Sequence, residues 1–411
     1  MSTRWRATPM RSSTSSRPQP ARLAALWLGV QLVWGAVLGI SLQARCSALA
    51  PHASLAVFGI VSTSGALVAA TTQLIVGPFS DRMRRAGHSR SAFYAFGAVL
   101  GAIAVVIFYE VSSVQGLLAA FVALQLAMNV VIGPYQAIVP DTMPRSRFGL
   151  ASGWLAAFAG AGNAIGAVLA AALGATVVLG IALAAGLIAA AAVTLAHLRG
   201  LPLQPLEDAG PLPFTRHLAD LFVSRAFVYL GFYTMLGYLY FFVATVLPPG
   251  FMLNATRASG LCILIFTLVS ALGAALAARP ADRSDERWVV TAGGGCIAVA
   301  LAVLAAGRAG LWGLPAAIAL AGAGWGIFLC ADWAFACRLL PPAALATTMA
   351  VWNLAVVGPQ MLAPAIATLL LSRLGTLRSA AGPREALLLA GAEVLIGTLW
   401  IWRLPVPSEG K

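Results

Sequence analysis

Charge is what this sequence has least of. Asp, Glu, Lys and Arg make up 9% of its 411 residues, whereas 60% of the residues are hydrophobic. A soluble globular domain carries roughly 25% charged residues, so this chain lacks the polar surface that would keep it folded in water. Apolar runs of roughly 20 residues, the length with which a helix crosses a bilayer, recur along the chain. The composition excludes a soluble protein and predicts a polytopic membrane protein.

Lysine is almost absent, because Lys411 is the only one among 26 basic residues. A formal net charge of +13 is compatible with nucleic-acid binding. The arginines, however, lie mostly in short intervals between apolar runs and form no continuous basic face with interleaved aromatic residues. We therefore expect no nucleic-acid partner.

Cysteine is scarce and scattered. None of the five cysteines belongs to a C-x-x-C pair or lies near a histidine at metal-ligand spacing, so neither a disulfide framework nor a metal site is expected. The apolar runs hold no H-E-x-x-H cluster and no G-x-S-x-G nucleophile, and the chain has no P-loop. We predict no metal, no cofactor, no enzymatic activity and no direct use of ATP.

Twelve apolar segments can be distinguished, and their richness in Ala, Leu, Gly and Val predicts helices. The short alternating strands of a membrane barrel are not seen. The predicted fold is therefore an all-α polytopic membrane protein of twelve transmembrane helices. The segments are 23–43, 54–76, 91–109, 116–139, 149–172, 175–197, 226–247, 258–278, 288–306, 313–337, 346–371 and 385–403.

The intervals between the segments predict the domain organisation and the topology. We expect a basic tail at 1–22, a six-helix bundle at 23–198, a linker at 199–225, a second six-helix bundle at 226–404 and a short tail at 405–411. With both termini in the cytoplasm, 20 basic residues lie inside and six outside, as the positive-inside rule requires. We expect a multi-pass protein of the cell's inner (plasma) membrane.

The two halves are weakly similar to each other. "GPYQAIVPDTMPRSRFGLASGW" follows the fourth segment, and "CADWAFACRLLPPAALATTMAVW" occupies the corresponding place at the tenth. Aligning Pro144 with Pro341 brings Trp154 within one residue of Trp352 and sets Tyr135 opposite Asp332. A second correspondence joins "GPFSDR" to "ARPADR", each just after the second segment of its half. Two matching six-helix repeats predict a pseudo-twofold bundle with a central cavity.

The stretch "GPFSDRMRRAGHSR" at 77–90 resembles the loop between the second and third helices of major facilitator superfamily transporters. More narrowly, it is similar to the form found in glycoside–pentoside–hexuronide and sucrose-type permeases. The segments "PYQAIVPDTMPRSRFGLASGW" and "MAVWNLAVVGPQMLAPAIA" are similar to the same branch. The resemblance runs from about residue 23 to 403. It implies the two-bundle major facilitator fold and transport by rocker-switch alternating access.

The resemblance assigns a gating role to this charged stretch. Gly77 would let another helix pack closely, and Asp81 would bind helix N-terminal amides or pair with an arginine across the half-domain. Such a cluster can hold the cytoplasmic side closed; alternatively, its arginines act only as topology signals. The candidate gate residues are Gly77, Asp81, Arg82, Arg85 and Arg90, with Asp282 and Arg283 in a degenerate second copy.

Two carboxylates lie inside predicted spans, where charge is costly and indicates function. Asp332 lies near the cytoplasmic end of the tenth span, one of the helices that line the cavity in the fold that the resemblance implies. It could bind a proton, or it could form a structural ion pair with an arginine. Glu393 lies in the middle of the twelfth span, where a coupling role and a structural hydrogen bond are the alternatives.

The spans lack the acidic residues with which melibiose-type permeases bind sodium. The second span has none, and the fourth has none before Asp141 at its inner end. The sequence therefore favours proton coupling, or facilitated diffusion, over a sodium site of that kind.

Polar and aromatic residues in the spans are candidates for the substrate cavity. Tyr229, Tyr233 and Tyr240 lie within about 40° of one another at helical spacing, which suits stacking on a sugar ring; core packing and an interfacial aromatic belt are the alternatives. Amides can also serve only to join helices. The further candidates are Gln31, Trp34, Asn129, Tyr135, Gln136, Asn163, Asn353 and Gln360.

The sequence thus predicts a monomeric secondary transporter whose partners are a small-molecule substrate, protons and the lipid bilayer. The resemblance favours a sugar or glycoside as the substrate. An exporter of hydrophobic drugs or secondary metabolites is the alternative, and a transporter-like membrane sensor is a candidate from a different class.

Overall fold

The computed structural model describes residues 18–144, 147–201, 215–248, 251–283, 285–307, 310–339 and 345–404, and these residues form helices and no strand. The predicted all-α architecture is confirmed. The α-helices are α1 Pro20–Ala36, α2 Leu42–Leu49, α3 Ser54–Arg85, α4 Ser91–Glu110, α5 Val114–Tyr135, α6 Ile138–Thr142, α7 Phe148–Leu173, α8 Val177–Leu198, α9 Arg216–Val246, α10 Ala255–Arg283, α11 Glu286–Ala305, α12 Gly310–Leu339, α13 Leu345–Arg373 and α14 Gly382–Trp400.

Most of these helices have the length and composition of membrane spans. Within the part of the chain that the structure describes, ten helical segments are long and apolar enough to cross a membrane, and Ala157–Leu173 adds a shorter apolar helix. The first span consists of α1, a π-helical turn at Val37–Ser41, and α2. A π-helical turn leaves backbone carbonyls to find other donors, and the side-chain amide of Gln43 donates to the carbonyl of Leu38 at 2.7 Å.

Two helices extend further than the sequence suggested. The stretch from Gly77 to Arg85 is the end of α3 rather than a loop, with Pro78 inside the helix. The chain turns only at Gly87, whose φ of 85° suits glycine. Likewise α9 begins at Arg216, so the last ten residues of the predicted linker are helical. Their apolar residues at helical spacing extend the span into a run of mixed charge.

The helices pack as two groups in chain order. In the first half α1 packs on α7 and α8, and α4 packs on α5 and α8; in the second half α10 packs on α12, and α9 packs on α13 and α14. Each half has its own apolar core. The core of the first half also includes Tyr238, Tyr240 and Phe241 of the second half, so the two halves share a packed region.

The ends of the helices define two faces. The backbone amide of Gln19 donates to His197 at 2.9 Å, and the guanidinium of Arg287 donates to the carbonyl of Leu404 at 3.1 Å. A methyl group added at Gly382, at the start of α14, would lie 3.0 Å from Leu55, at the start of α3, so the starts of these two helices share one end of the molecule. The described N-terminus, before α1, and the described C-terminus, after α14, lie at the other end, which we call the terminal face. The opposite end, where α2 passes into α3 and α13 into α14, is called the distal face.

Candidate functional site

The contacts between the halves lie toward the distal face. The side-chain amide of Gln43 reaches the carbonyl of Gly237 at 3.4 Å. A methyl group added at Gly59 would lie 2.3 Å from the Thr368 side chain, so only glycine fits at that crossing. A methyl group at Gly260 would lie 2.2 Å from Ala171. At this end the two halves are in close contact.

Aromatic rings fill the centre of this contact. Phe58 of α3 meets the ring of Tyr238 at 5.6 Å and that of Phe241 at 5.3 Å, both edge to face. The hydroxyl groups of Tyr238 and Thr368 lie 3.1 Å apart. Edge-to-face rings stabilise a contact beyond the apolar area that they bury. We call Gln43, Phe58, Tyr238, Phe241 and Thr368 the distal seal.

Toward the terminal face, several large apolar residues of α3 are exposed. Leu74, Ile75 and Phe79 are 76%, 70% and 53% exposed, and a methyl group added at Gly77 would meet no atom within 4 Å. The Cβ direction of Gly77 thus faces open space, but a methyl group added at Gly133 of α5 would lie 4.0 Å from the backbone nitrogen of Gly77, so α5 passes close to α3 at this point.

The exposed residues Ile60, Leu67 and Leu74 follow one side of α3 along its length, so this exposure is common to both ends of the helix. The contacts between the halves that involve Gln43, Phe58 and Gly59 lie at the distal face.

The charged stretch after Gly77 is built around Arg90, which is buried. Its guanidinium donates to Asp141 at 2.8 Å and to the hydroxyl of Ser80 at 2.5 Å, and it pairs with Asp81 at 2.7 Å. Arg84 lies 3.5 Å from the same Asp141 carboxylate. Three segments of the first half, namely the end of α3, the start of α4 and α6, are joined at one point.

This arrangement gives Asp81 an arginine partner. Asp81 pairs with Arg90 inside its own half, which is one of the two alternatives that the sequence left open. Burial alone would lower the pKa of Arg90, but its hydrogen bonds with Asp141 and Asp81 raise that pKa above its ordinary value. Arg90 thus remains charged. Arg82 and Arg85 are exposed on the surface of α3.

The second half is organised differently at the corresponding place. The side chains of Asp282 and Arg283 lie outside the described residues. Asp285 caps α11 and accepts from Arg287 at 2.6 Å, and this hydrogen bond lowers the pKa of Asp285. The guanidinium of Arg287 lies 5.0 Å from the ring centre of Trp402.

Asp332 forms a buried ion pair with Arg225. Both side chains are almost completely buried, with 1% of Asp332 and 5% of Arg225 exposed. Arg225 also donates to the hydroxyl of Tyr229 at 3.2 Å and lies 4.7 Å from its ring centre. Sequence reasoning missed Arg225 because it placed this residue at the end of the linker. The signal was available, since Arg225 and Tyr229 are four residues apart on one helix face.

Glu393 lies apart from this ion pair, between α14 and α9. It is 4% exposed, and its carboxyl group lies beside the hydroxyl of Thr234. The carboxyl oxygens and the Thr234 hydroxyl form no hydrogen bond of normal geometry with the described residues. Glu393 and Asp332 therefore belong to separate places in the second half.

Among the cavity candidates of the first half, Gln31 and Asn163 form a pair. The side-chain amide of Asn163 donates to the side-chain oxygen of Gln31 at 2.9 Å, and Asn163 is exposed. Asn129 is buried and accepts from Gln73 at 2.6 Å, so this amide joins α5 to α3. Trp34 lies in the core, 6% exposed.

The remaining candidates of the first half lie near the terminal face. The hydroxyl of Tyr135 donates to the carbonyl of Leu23 at 2.6 Å, and its ring stacks on Trp27 with centres 5.4 Å apart. Tyr135 is buried, and Gln136 is exposed. The contact of Tyr135 with α1 indicates a structural role in this conformation.

In the second half the candidates form an aromatic group. The rings of Tyr229 and Tyr233 lie 6.2 Å apart. Phe232 stacks on Trp325 at 4.1 Å, and the Tyr229 ring meets the Trp325 ring at 5.0 Å. Aromatic residues thus pack together between α9 and α12, and Tyr229 connects this group to the ion pair.

The predicted stripe of three tyrosines is divided between two places. Tyr240 is buried beside Ser47 and Thr256 at the distal end rather than beside Tyr229 and Tyr233. Gln360 is half-buried on α13. The side chain of Asn353 lies outside the described residues.

Comparison with known proteins matches this architecture. A sequence model described as the Major Facilitator Superfamily matches residues 24–364. No curated protein sequence matches the chain. Among solved structures, a bacterial homologue of the human lysosomal transporter Spinster, in an inward-facing and occupied conformation, has a TM-score of 0.74 at 16% identity, covering 94% of this chain and 97% of that one.

Two other solved structures have the same fold. The nucleoside transporter NupG has a TM-score of 0.68 at 15% identity, covering 93% of this chain and 98% of that one. A bacterial homologue of the iron transporter ferroportin, in its outward-facing state, has a TM-score of 0.60 at 16% identity, covering 93% and 98%. At these identities the likeness shows the fold.

Proposed function

The chain belongs to the Major Facilitator Superfamily, and on that premise we propose that it is a secondary transporter that works by rocker-switch alternating access. It carries a small substrate across the membrane. The observation that supports the alternating-access cycle is the contact between the halves at the distal face. The halves are sealed there by Gln43, Phe58 and Tyr238.

With both termini in the cytoplasm, this conformation is the inward-facing one. The excess of arginine on that side supports the assignment. The Arg90 cluster then lies at the cytoplasmic end of the first half. We propose that it keeps α3, α4 and α6 together as one rigid unit while the halves rock, and that Asp81, 51% exposed, is available to the second half when this side closes.

For coupling, we propose that the buried pair of Arg225 and Asp332 responds to protons. Protonation of Asp332 would remove the charge that holds Arg225, and it would release the hydroxyl of Tyr229 from the same guanidinium. The pair joins α9 to α12, two of the helices that line the cavity in this family's fold. A change of protonation can therefore change the geometry of the substrate site.

For the substrate, we propose an uncharged, sugar-like or glycoside-like molecule. The Gln31–Asn163 amide pair offers donors and acceptors in the first half. Tyr229, Tyr233 and Phe232 offer ring faces in the second half. One hydrogen-bonding wall and one aromatic wall suit a ring that carries hydroxyl groups on its edges and apolar faces above and below.

Export of a hydrophobic drug or secondary metabolite is the second candidate, and the stacked Phe232 and Trp325 rings favour it. Transport measurements in proteoliposomes distinguish these two candidate functions. Sugars and glycosides would be accumulated by proteoliposomes under an imposed pH gradient, whereas an exporter would move apolar cations or neutral drugs in the opposite direction to protons. Absence of movement of either class would favour a sensor.

The decisive experiment compares gradient-driven uptake by the wild-type protein with that of Asp332→Asn. We expect the variant to lose accumulation against a gradient, because a neutral amide cannot alternate between charge states. Asp220→Asn is the matched control, since Asp220 accepts a hydrogen bond from Trp400 at 3.0 Å outside the proposed coupling pair. If Asp332→Asn accumulated substrate as well as the control did, the coupling assignment would be wrong.

A further inference from the structure

Glu393 is a buried carboxyl group that the proposed transport cycle does not use. It occupies the middle of α14, and 4% of its surface is exposed. Both of its oxygen atoms are buried without a hydrogen-bond partner of normal geometry among the described residues. Such an arrangement is costly for an ionised carboxylate, because the described protein groups do not replace the hydrogen bonds of its hydration.

The helices around Glu393 pack too closely to admit solvent freely. One turn before Thr234, a methyl group added at Gly231 would lie 2.5 Å from the carbonyl of Ala390. One turn after Glu393, a methyl group at Gly397 would lie 2.5 Å from the carbonyl of Ser224. Between these two contacts α9 and α14 are pressed together, and the carboxyl group lies at their interface.

Among the described residues, neither carboxyl oxygen has a cation as a hydrogen-bond partner. The titratable groups on the helices packed against α14 include Arg225, Tyr229, Tyr233 and Tyr238 on α9, Glu286, Arg287 and Cys296 on α11, and Arg373 on α13.

Arg287 is already paired with Asp285. Arg225 lies nine residues before Thr234, about 13 Å along a helix axis, and it is paired with Asp332. On α14 itself, Arg384 and Glu385 are about 12 Å or more away along the axis, and Glu385 is bonded to Thr376. An ionised Glu393 would be an uncompensated charge in an apolar interface.

We propose that Glu393 is a proton-binding site, occupied in this conformation, at which the neutral carboxyl group and the Thr234 hydroxyl face each other between α9 and α14. The proton takes the place that a cation or water would otherwise occupy. Release of the proton requires α9 to move away from α14 far enough for water to enter. The site is distinct from the Arg225–Asp332 pair, so the second half holds two protonatable carboxyl groups in different surroundings.

This proposal does not depend on the substrate or on transport, and it can be tested on the purified protein. Infrared spectra of the wild type and of Glu393→Gln should differ, at neutral pH, by the carbonyl band of a neutral carboxylic acid. A glutamate in water is ionised at that pH and gives no such band. Glu385→Gln is the matched control on the same helix, and we expect it to leave the band unchanged.

Thermal unfolding provides the second measurement. In the unfolded chain Glu393 ionises as the pH rises, whereas in the folded protein it is held neutral, so stability is lost with rising pH. Glu393→Gln carries no charge in either state. The variant should therefore melt at a higher temperature than the wild type at alkaline pH, with the difference shrinking toward acidic pH, and Glu385→Gln should show no such trend.

Either measurement can overturn the proposal. If the neutral-acid band of the wild type persisted in Glu393→Gln, the proton would belong to another group. If the difference in melting temperature between wild type and Glu393→Gln did not change with pH, Glu393 would have the same charge in the folded and unfolded states, and the carboxyl would be ionised in the protein.

Discussion

The two halves join their first and fourth spans at corresponding places by different chemistry. In the first half Tyr135 donates its hydroxyl to the carbonyl of Leu23 and stacks on Trp27 four residues later. In the second half Asp332 pairs with Arg225, and Arg225 donates to Tyr229, again four residues later. One joint is neutral and the other is ionic.

The difference shows how repeated halves can take different roles. A tyrosine bonded to a backbone carbonyl has one stable arrangement, since neither partner changes charge near neutral pH. A buried carboxylate and guanidinium have two, because protonation of the carboxylate removes the attraction between them. A pseudo-symmetric fold can thus keep one joint fixed and make the other responsive.

The largest expected effect comes from breaking the ionic joint on one side. Arg225→Met leaves Asp332 buried and unpaired, and such a change costs about 3–5 kcal/mol. We expect a large fall in the melting temperature of the detergent-solubilised protein.

The double variant Arg225→Met with Asp332→Leu is the control. Replacing both partners by apolar groups removes the stranded charge, so most of the stability should return. A double variant as unstable as the single one would show that the two side chains are not an isolated pair.

A smaller effect is expected at the charged cluster of the first half. Asp141→Asn removes the carboxylate shared by Arg84 and Arg90, but Arg90 retains Asp81 and Ser80. We expect the free energy of unfolding to fall by about 2 kcal/mol, near the lower end of the range for losing a hydrogen bond to a buried charged group. Thermal unfolding at low and high salt is the measurement. A loss as large as that of Arg225→Met would show that the exposed Asp81 does not compensate.

The smallest effect is expected at the neutral joint. Tyr135→Phe deletes the hydrogen bond to the Leu23 carbonyl and keeps the ring that stacks on Trp27. The free energy of unfolding should fall by about 1 kcal/mol, and the pH dependence of uptake should not change. Trp27→Leu serves as the comparison for loss of stacking. A changed pH profile in Tyr135→Phe would mean that the first half also responds to protons.

The sequence predicted the parts of this molecule that depend on composition and on local pattern. Long apolar runs indicated the spans, and the scarcity of charge made Asp332 conspicuous. Prediction from the sequence was wrong where a segment that carries charged residues is helical. The segment before Ala226 contains prolines and mixed charges, so it was interpreted as a linker, and Arg225 was lost with it. The π-helical turn at Val37–Ser41 has no pattern of its own, because it depends on a donor from Gln43.

Local sequence pattern also could not predict which side chains become partners when they lie far apart in the sequence. Asp81 and Arg90 are close in sequence, but the role of Asp141 as the shared acceptor depends on how α6 folds back against α3 and α4. The tyrosine stripe illustrates the same limit. Helical spacing placed Tyr229, Tyr233 and Tyr240 on one side of α9, yet the contact between the halves divides that side into an inner group and a distal contact.

The composition of the distal seal determines which physical variable controls it. Its centre consists of aromatic rings, so closing it buries apolar surface. Burial of apolar surface has a negative heat-capacity change, and the stabilisation that it provides weakens on cooling. The Arg90 cluster consists of charges, one of them half exposed, and it is screened by salt. Cooling should therefore loosen the distal end of the molecule, and ionic strength should act on the terminal end.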